Sequence, residues 1–117
     1  MVVDDAADAR FLISLILGEH DDLEVVAEAD GAPAALEMLE DARPDVALID
    51  ARMPVIDGFE LARSLLERAP GLRVAMLTSM VDSVVEARAR EAGAAACFSK
   101  GDLPELPGLV RSLARPT

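Results

Sequence analysis

The chain has 117 residues and a formal net charge of −11, with no Trp or Tyr, three Phe, one Cys and one His. That length suits one domain with its own core, and the excess of acid opposes direct binding to nucleic acid, whose phosphates would repel it. A lone Cys allows no internal disulfide, and with a lone His it makes no zinc site; no apolar run approaches the ~20 residues that cross a bilayer, and no secretory leader precedes the first strand pattern, so a cytoplasmic protein without membrane contact is expected.

Met1-Val2-Val3 reads as a short first strand that ends in Asp4-Asp5. Ala7 to Glu19 is helical by composition, with Asp8 in its first turn and Gly18 near its end. Taking Ala9, Ile13, Ile16 and Leu17 as its buried face, the 100° turn per residue points Phe11 and Leu15 away from the core, with Leu12 toward one flank. Leu23 to Ala29 alternates and is expected to be the second strand, and Ala34 to Asp41 the second helix, with Pro33 at its start.

Val46-Ala47-Leu48-Ile49 is a continuous apolar run, the pattern of a parallel strand buried on both faces, and it ends abruptly in Asp50. A third helix is expected over Asp57 to Arg68, a fourth strand over Arg73 to Leu77, and a fourth helix over Val81 to Ala92, stopped by Gly93. A short fifth strand, Ala94 to Ser99, leads to Lys100, and a last helix is expected from about Pro104 to Ala114. Strands alternating with helices imply βαβ units and a parallel sheet, with residues 1–117 forming one domain.

Four strands then end in polar residues: Asp4-Asp5, Asp50, Thr78-Ser79 and Lys100. Singly, each has an ordinary explanation, as a helix cap or a solvated charge. In a parallel sheet all carboxyl ends lie on one edge, so the four would converge. Clustered carboxylates invite a hard cation, and Mg²⁺ takes oxygen ligands of this kind. A carboxylate can itself attack phosphorus, and phosphoryl transfer then needs fixed positive charge and hydroxyl donors, which Lys100 and Thr78 can provide.

Asp4-Asp5, the run Asp50-x-x-Met53-Pro54-x-x-Asp57-Gly58, Leu77-Thr78-Ser79 and Ser99-Lys100 resemble, in order and spacing, the receiver domain of bacterial two-component response regulators. Asp22-Leu23-Glu24-Val25-Val26, Arg43-Pro44-Asp45 and Ser99-Lys100-Gly101-Asp102 look most like the subfamily carrying a C-terminal helix-turn-helix output domain. The resemblance implies a flavodoxin-like (βα)5 fold with strand order 2-1-3-4-5. It implies that Asp50 accepts phosphate from a histidine kinase. Asp4, Asp5, Asp50 and the backbone carbonyl of Arg52 would hold Mg²⁺, and Thr78 and Lys100 would contact the phosphoryl group. The domain would catalyse only its own phosphorylation and dephosphorylation, and would switch an output domain or partner, in control of transcription.

Three departures stand out. The first strand is short, Cys97 stands where the family usually carries an aromatic residue, and Gly101 replaces a common Pro. Cys97 keeps open a partner-binding pseudo-receiver. A Mg²⁺-dependent aspartyl phosphohydrolase is disfavoured, because Arg52 stands where a second acid is needed and no cap segment remains. A flavin carrier of the same fold is disfavoured by the lack of Trp and Tyr. Phe11 and Leu15 predict docking through the first helix, with or without the last, onto a second copy or an output domain. Met38, Met76 and Met80 are expected to fill core or pocket, Cys97 to be a small buried residue, and His20 to be solvated.

Overall fold

Five strands and five helices alternate along the computed structural model, which describes residues 1–114. The strands are β1 (Val2–Val3), β2 (Glu28–Ala29), β3 (Val46–Asp50), β4 (Arg73–Thr78) and β5 (Ala96–Ser99). The helices are α1 (Ala7–Gly18), α2 (Ala32–Ala42), α3 (Gly58–Arg68), α4 (Ser83–Ala92) and α5 (Leu106–Ala114), with a 3-10 segment over Lys100–Glu105 leading into α5. All strand pairings are parallel, in the order β2-β1-β3-β4-β5 that the resemblance implies.

Every residue of β3 is buried, as its unbroken apolar run requires. Alternation along the strands sends Val3, Ala47, Ile49, Val74 and Met76 to one face, where Ala35 and Leu39 of α2, Leu61 and Leu65 of α3, and Ala89 and Ala92 of α4 cover them. Val2, Val46, Leu48, Ala75 and Leu77 face the other way, onto Ile13 and Leu17 of α1 and Leu106 of α5. Cys97 and Phe98 fall on opposite faces, as their adjacency in a strand demands. In α1, Ile13 and Leu17 are buried while Phe11, Leu12 and Leu15 are exposed, so the expected helix phase holds.

Several expectations need correction. The second strand pairs only over Glu28–Ala29, not from Leu23, because its neighbour β1 offers only Val2 and Val3 as partners. Residues 23–26 still alternate between half-buried and exposed, without a ladder to join. The last helix starts at Leu106, since Pro104 lacks an N–H and sits in the 3-10 segment instead. Met76 is fully buried, but Met80 is 69% exposed and Met38 also reaches solvent, so only one of the three fills the core. His20 is half-buried, its Nδ1 2.8 Å from an Arg111 guanidinium nitrogen that also pairs with Asp22. Cys97 is half-buried and packs at the edge of the α3–α4 core.

The start of the chain is part of the core. The Met1 ammonium donates to the carbonyl oxygen of Val46 at 2.9 Å, in a buried position. Burial penalises the charged form and lowers the pKa of this amine from 8.0 to about 6, against a raising effect of the nearby Asp45 charge.

Candidate functional site

The carboxyl edge of the sheet collects the residues singled out in the sequence. Asp4 follows β1 and is fully buried; Asp50 ends β3 and Thr78 ends β4, both buried; Asp5 is exposed. One carboxylate oxygen from each of Asp4, Asp5 and Asp50 lies within 4.8 Å of the others. Lys100, the chain's only lysine, follows β5 and reaches back across the edge. Its Nζ donates to Asp4 Oδ2 at 2.9 Å and lies 3.3 Å from Asp50 Oδ1.

Local structure fixes these side chains. Asp4 Oδ1 accepts from the Ala6 N–H, in the turn that enters α1, and the Asp4 carbonyl accepts from Arg10 at 2.7 Å. Asp50 Oδ1 accepts from the Arg52 N–H at 3.3 Å, which draws the β3–α3 loop over the carboxylate. The Arg52 side chain itself is exposed. Gly58 lies under that loop. A Cβ there would sit 2.1 Å from the Asp50 carbonyl oxygen, so only glycine allows α3 to begin this close to the end of β3.

Charge and burial pull the titrating groups in opposite directions. Burial raises the pKa of Asp50, helped by the Asp4 charge, while the Lys100 charge and the Arg52 N–H act against it. Burial alone would lower Lys100, but its hydrogen bond to Asp4 and the charges of Asp50 and Asp4 more than offset this, and its pKa is raised. The ammonium therefore stays charged and takes up part of the repulsion between buried acids. Three clustered carboxylates supply only hard oxygen donors, and that set fits a small divalent cation such as Mg²⁺.

Thr78 ends β4, and its hydroxyl is held by its own loop. Its hydroxyl donates to the Met80 carbonyl at 3.2 Å and accepts from the Met80 N–H at 3.4 Å, so it is engaged with the β4–α4 loop. That loop ends at Asp82, whose side chain caps α4 by accepting from the Val85 N–H. On the facing loop, Val55 is fully exposed with φ of 71°, a left-handed conformation that strains a β-branched residue.

Two features have no signal in the sequence. Gly58 enters there as a member of the Asp50-to-Gly58 run, with nothing to show its contact with the Asp50 carbonyl. Arg88 of α4 belongs to none of the motifs singled out in the sequence, yet its guanidinium donates to Asp57 Oδ2 at 2.8 Å and lies 4.2 Å from the centre of the Phe59 ring. Asp57 is 31 residues away along the chain, so no local pattern links the two.

Residues 1–111 match the family model described as the response regulator receiver domain. The chain is 37% identical over 112 residues to the response regulator GacA of Pseudomonas viridiflava, covering 95% of this chain and 52% of that protein. It is 44% identical over 78 residues to the DNA-binding transcriptional activator DevR/DosR of Mycobacterium tuberculosis, covering 67% of this chain and 36% of that one. The signal receiver domain of the putative response regulator NarL from Mycobacterium tuberculosis superposes with a TM-score of 0.90 at 30% identity, over 99% of this chain and 94% of that domain. The chain spans about half the length of the GacA proteins it matches.

Proposed function

This chain belongs to the response regulator receiver domain family, and from that premise we propose that it is a phosphoacceptor switch whose acceptor is Asp50. The observation that carries the reading is the junction of Lys100 with Asp4 and Asp50, contributed by three strand ends far apart in the sequence. A charged ammonium fixed between buried carboxylates is the arrangement that phosphoryl transfer onto one of them requires.

An Asp50 carboxylate oxygen forms the new bond to phosphorus as the bond from phosphorus to the donor's imidazole nitrogen breaks. That nitrogen keeps the electron pair, and Asp50 becomes an acyl phosphate. Mg²⁺, when bound through Asp4, Asp5, Asp50 and the Arg52 carbonyl, supplies neutralising charge to the phosphoryl oxygens. Lys100 supplies a second, fixed charge. Thr78 donates its hydroxyl to the phosphoryl group once it leaves Met80. Hydrolysis of the acyl phosphate resets the domain, and these two reactions on its own Asp50 are the only ones it catalyses.

The donor is a histidine kinase, and the receiver of the signal is an output domain or partner that controls transcription in the cytoplasm. The exposed Phe11, Leu12 and Leu15 of α1 support docking there, to a second copy or to that output domain. Incubation with acetyl phosphate and Mg²⁺, followed by mass spectrometry, should show one added phosphoryl group that hydroxylamine removes. Asp50→Asn should take up none. Labelling of the Asn variant at the normal rate and stoichiometry would reject the assignment.

A further inference from the structure

Helix α4 is weakly anchored. The side chains it buries are two alanines, Ala89 and Ala92, and near its start Val84 is exposed and Val85 only half-buried. Small side chains bury little apolar area and hold a helix loosely. Between the first half of α4 and the β3–α3 loop runs an open groove of about 560 Å³, lined by Arg52, Pro54, Thr78, Val84 and Arg88. Arg88 spans it, pairing with Asp57 and lying over Phe59.

The far side of that span is rigid. Asp57 Oδ1 caps α3 by accepting from the Glu60 N–H at 2.9 Å, and the Gly58 N–H donates to the Ala51 carbonyl at 3.2 Å. Gly58 itself is wedged under the Asp50 carbonyl. Arg88 therefore ties a loosely held helix to the backbone that carries the acceptor. The near side leads to Thr78, because the loop that engages its hydroxyl at Met80 runs directly into the α4 cap at Asp82.

We propose that Arg88 is a positioning residue: through Asp57 and Phe59 it holds α4 and the β4–α4 loop where Thr78 is turned to Met80, and so sets how tightly the site takes a phosphoryl group. The inference rests on the phosphoacceptor reading above. For Thr78 to serve a ligand on Asp50, the segment from Met80 to Asp82 must yield, and α4 with it. An attachment that favours the Thr78-out arrangement lowers the affinity for any ligand that needs Thr78 turned in. Through-space electrostatics makes the opposite forecast, since loss of a cation near an anion site weakens anion binding.

The test is beryllofluoride with Mg²⁺, a phosphoryl mimic, titrated calorimetrically into wild type, Arg88→Met, Asp57→Asn, the double variant, and Arg90→Met. Met keeps an apolar stem over Phe59, and Asn keeps an acceptor for the Glu60 N–H. Arg90, exposed on the same helix, controls for charge. Arg88→Met and Asp57→Asn should each bind the mimic about two- to fivefold more tightly, the range an exposed ion pair supplies. The double variant should match the single ones, because all break one contact. Amides of α4 should exchange faster in Arg88→Met without ligand. A purely structural role would lower the melting temperature equally with and without the mimic and leave the affinity unchanged. Unchanged or weaker binding in Arg88→Met, or an equal gain in Arg90→Met, overturns the proposal. Failure of wild type to bind the mimic overturns the phosphoacceptor reading, and this inference with it.

Discussion

Lys100 Nζ lies 2.9 Å from Asp4 Oδ2, a contact made across 96 residues of sequence and closed on one side by a carboxylate with no solvent exposure. Removing the ammonium leaves that carboxylate buried without its countercharge. A fully buried pair broken in this way loses about 3–5 kcal/mol, but Lys100 is partly exposed, so solvent screens part of the loss. Lys100→Met is expected to lower unfolding free energy by about 1–3 kcal/mol in metal-free urea titrations. Mg²⁺ should stabilise this variant more than wild type, since the cation meets the same unpaired charge. Equal Mg²⁺ effects in the two proteins would separate Lys100 from the acidic cluster.

Asp50 carries a raised pKa, mainly through burial and then the Asp4 charge, partly countered by Lys100. Its folded value lies above the unfolded one, so the native state holds the proton more tightly. The penalty for ionising it in the fold is absent below the unfolded pKa of 3.8, grows as pH rises through the interval up to the folded value, and is complete above it. Asp50→Asn should thus be more stable than wild type at neutral pH without metal, and the advantage should vanish near pH 3.5. Urea midpoints at the two pH values decide it; a less stable Asn variant at neutral pH would contradict the direction of the shift.

The Met1 amine shifts the other way. Burial, which dominates over the Asp45 charge, brings its pKa from 8.0 to about 6. The unfolded chain then binds more protons between these values, so stability rises from pH 6 to pH 8 and is flat above. Two pKa units correspond to at most about 2.7 kcal/mol, and about 1–2 kcal/mol is expected after relaxation. Nα-acetylated protein of the same sequence keeps an N–H for Val46 but has nothing to titrate, and its stability should lack this slope. An identical slope in both forms would assign it to other groups.

Phe11 and Leu15 are 69% and 50% exposed, one turn apart on α1. Sedimentation over a wide concentration range should show wild type associating and Phe11→Glu/Leu15→Glu monomeric. Two monomers throughout would exclude self-association through this face.

The parallel sheet and the cluster were legible because they depend on patterns that survive in one dimension, whereas the strand order followed from the family resemblance. An unbroken apolar run ending in Asp50 marks a central parallel strand, and four polar strand ends must share an edge once the strands are parallel. The extent of β2 was not legible, since Leu23 to Ala27 alternates correctly and lacks only a partner, and partners are a property of another segment. The exposure of Met80 was hidden for a similar reason: its backbone engages Thr78 while its side chain faces outward. Gly58 and Arg88 act through approaches to Asp50 and Asp57 that only the assembled loops create.

The chain contains one lysine, and its other primary amine is at Met1. The first is held between two carboxylates and the second is enclosed beside Val46. Within these 117 residues, amine chemistry is therefore never a bystander reaction. An acylating reagent that reaches Nζ erases the countercharge of Asp4, and one that reaches the α-amine must first open the middle of the sheet. Dyes, crosslinkers and sensor surfaces that couple through amines would report on altered protein. The thiol of Cys97 is the handle that leaves both amines as they are.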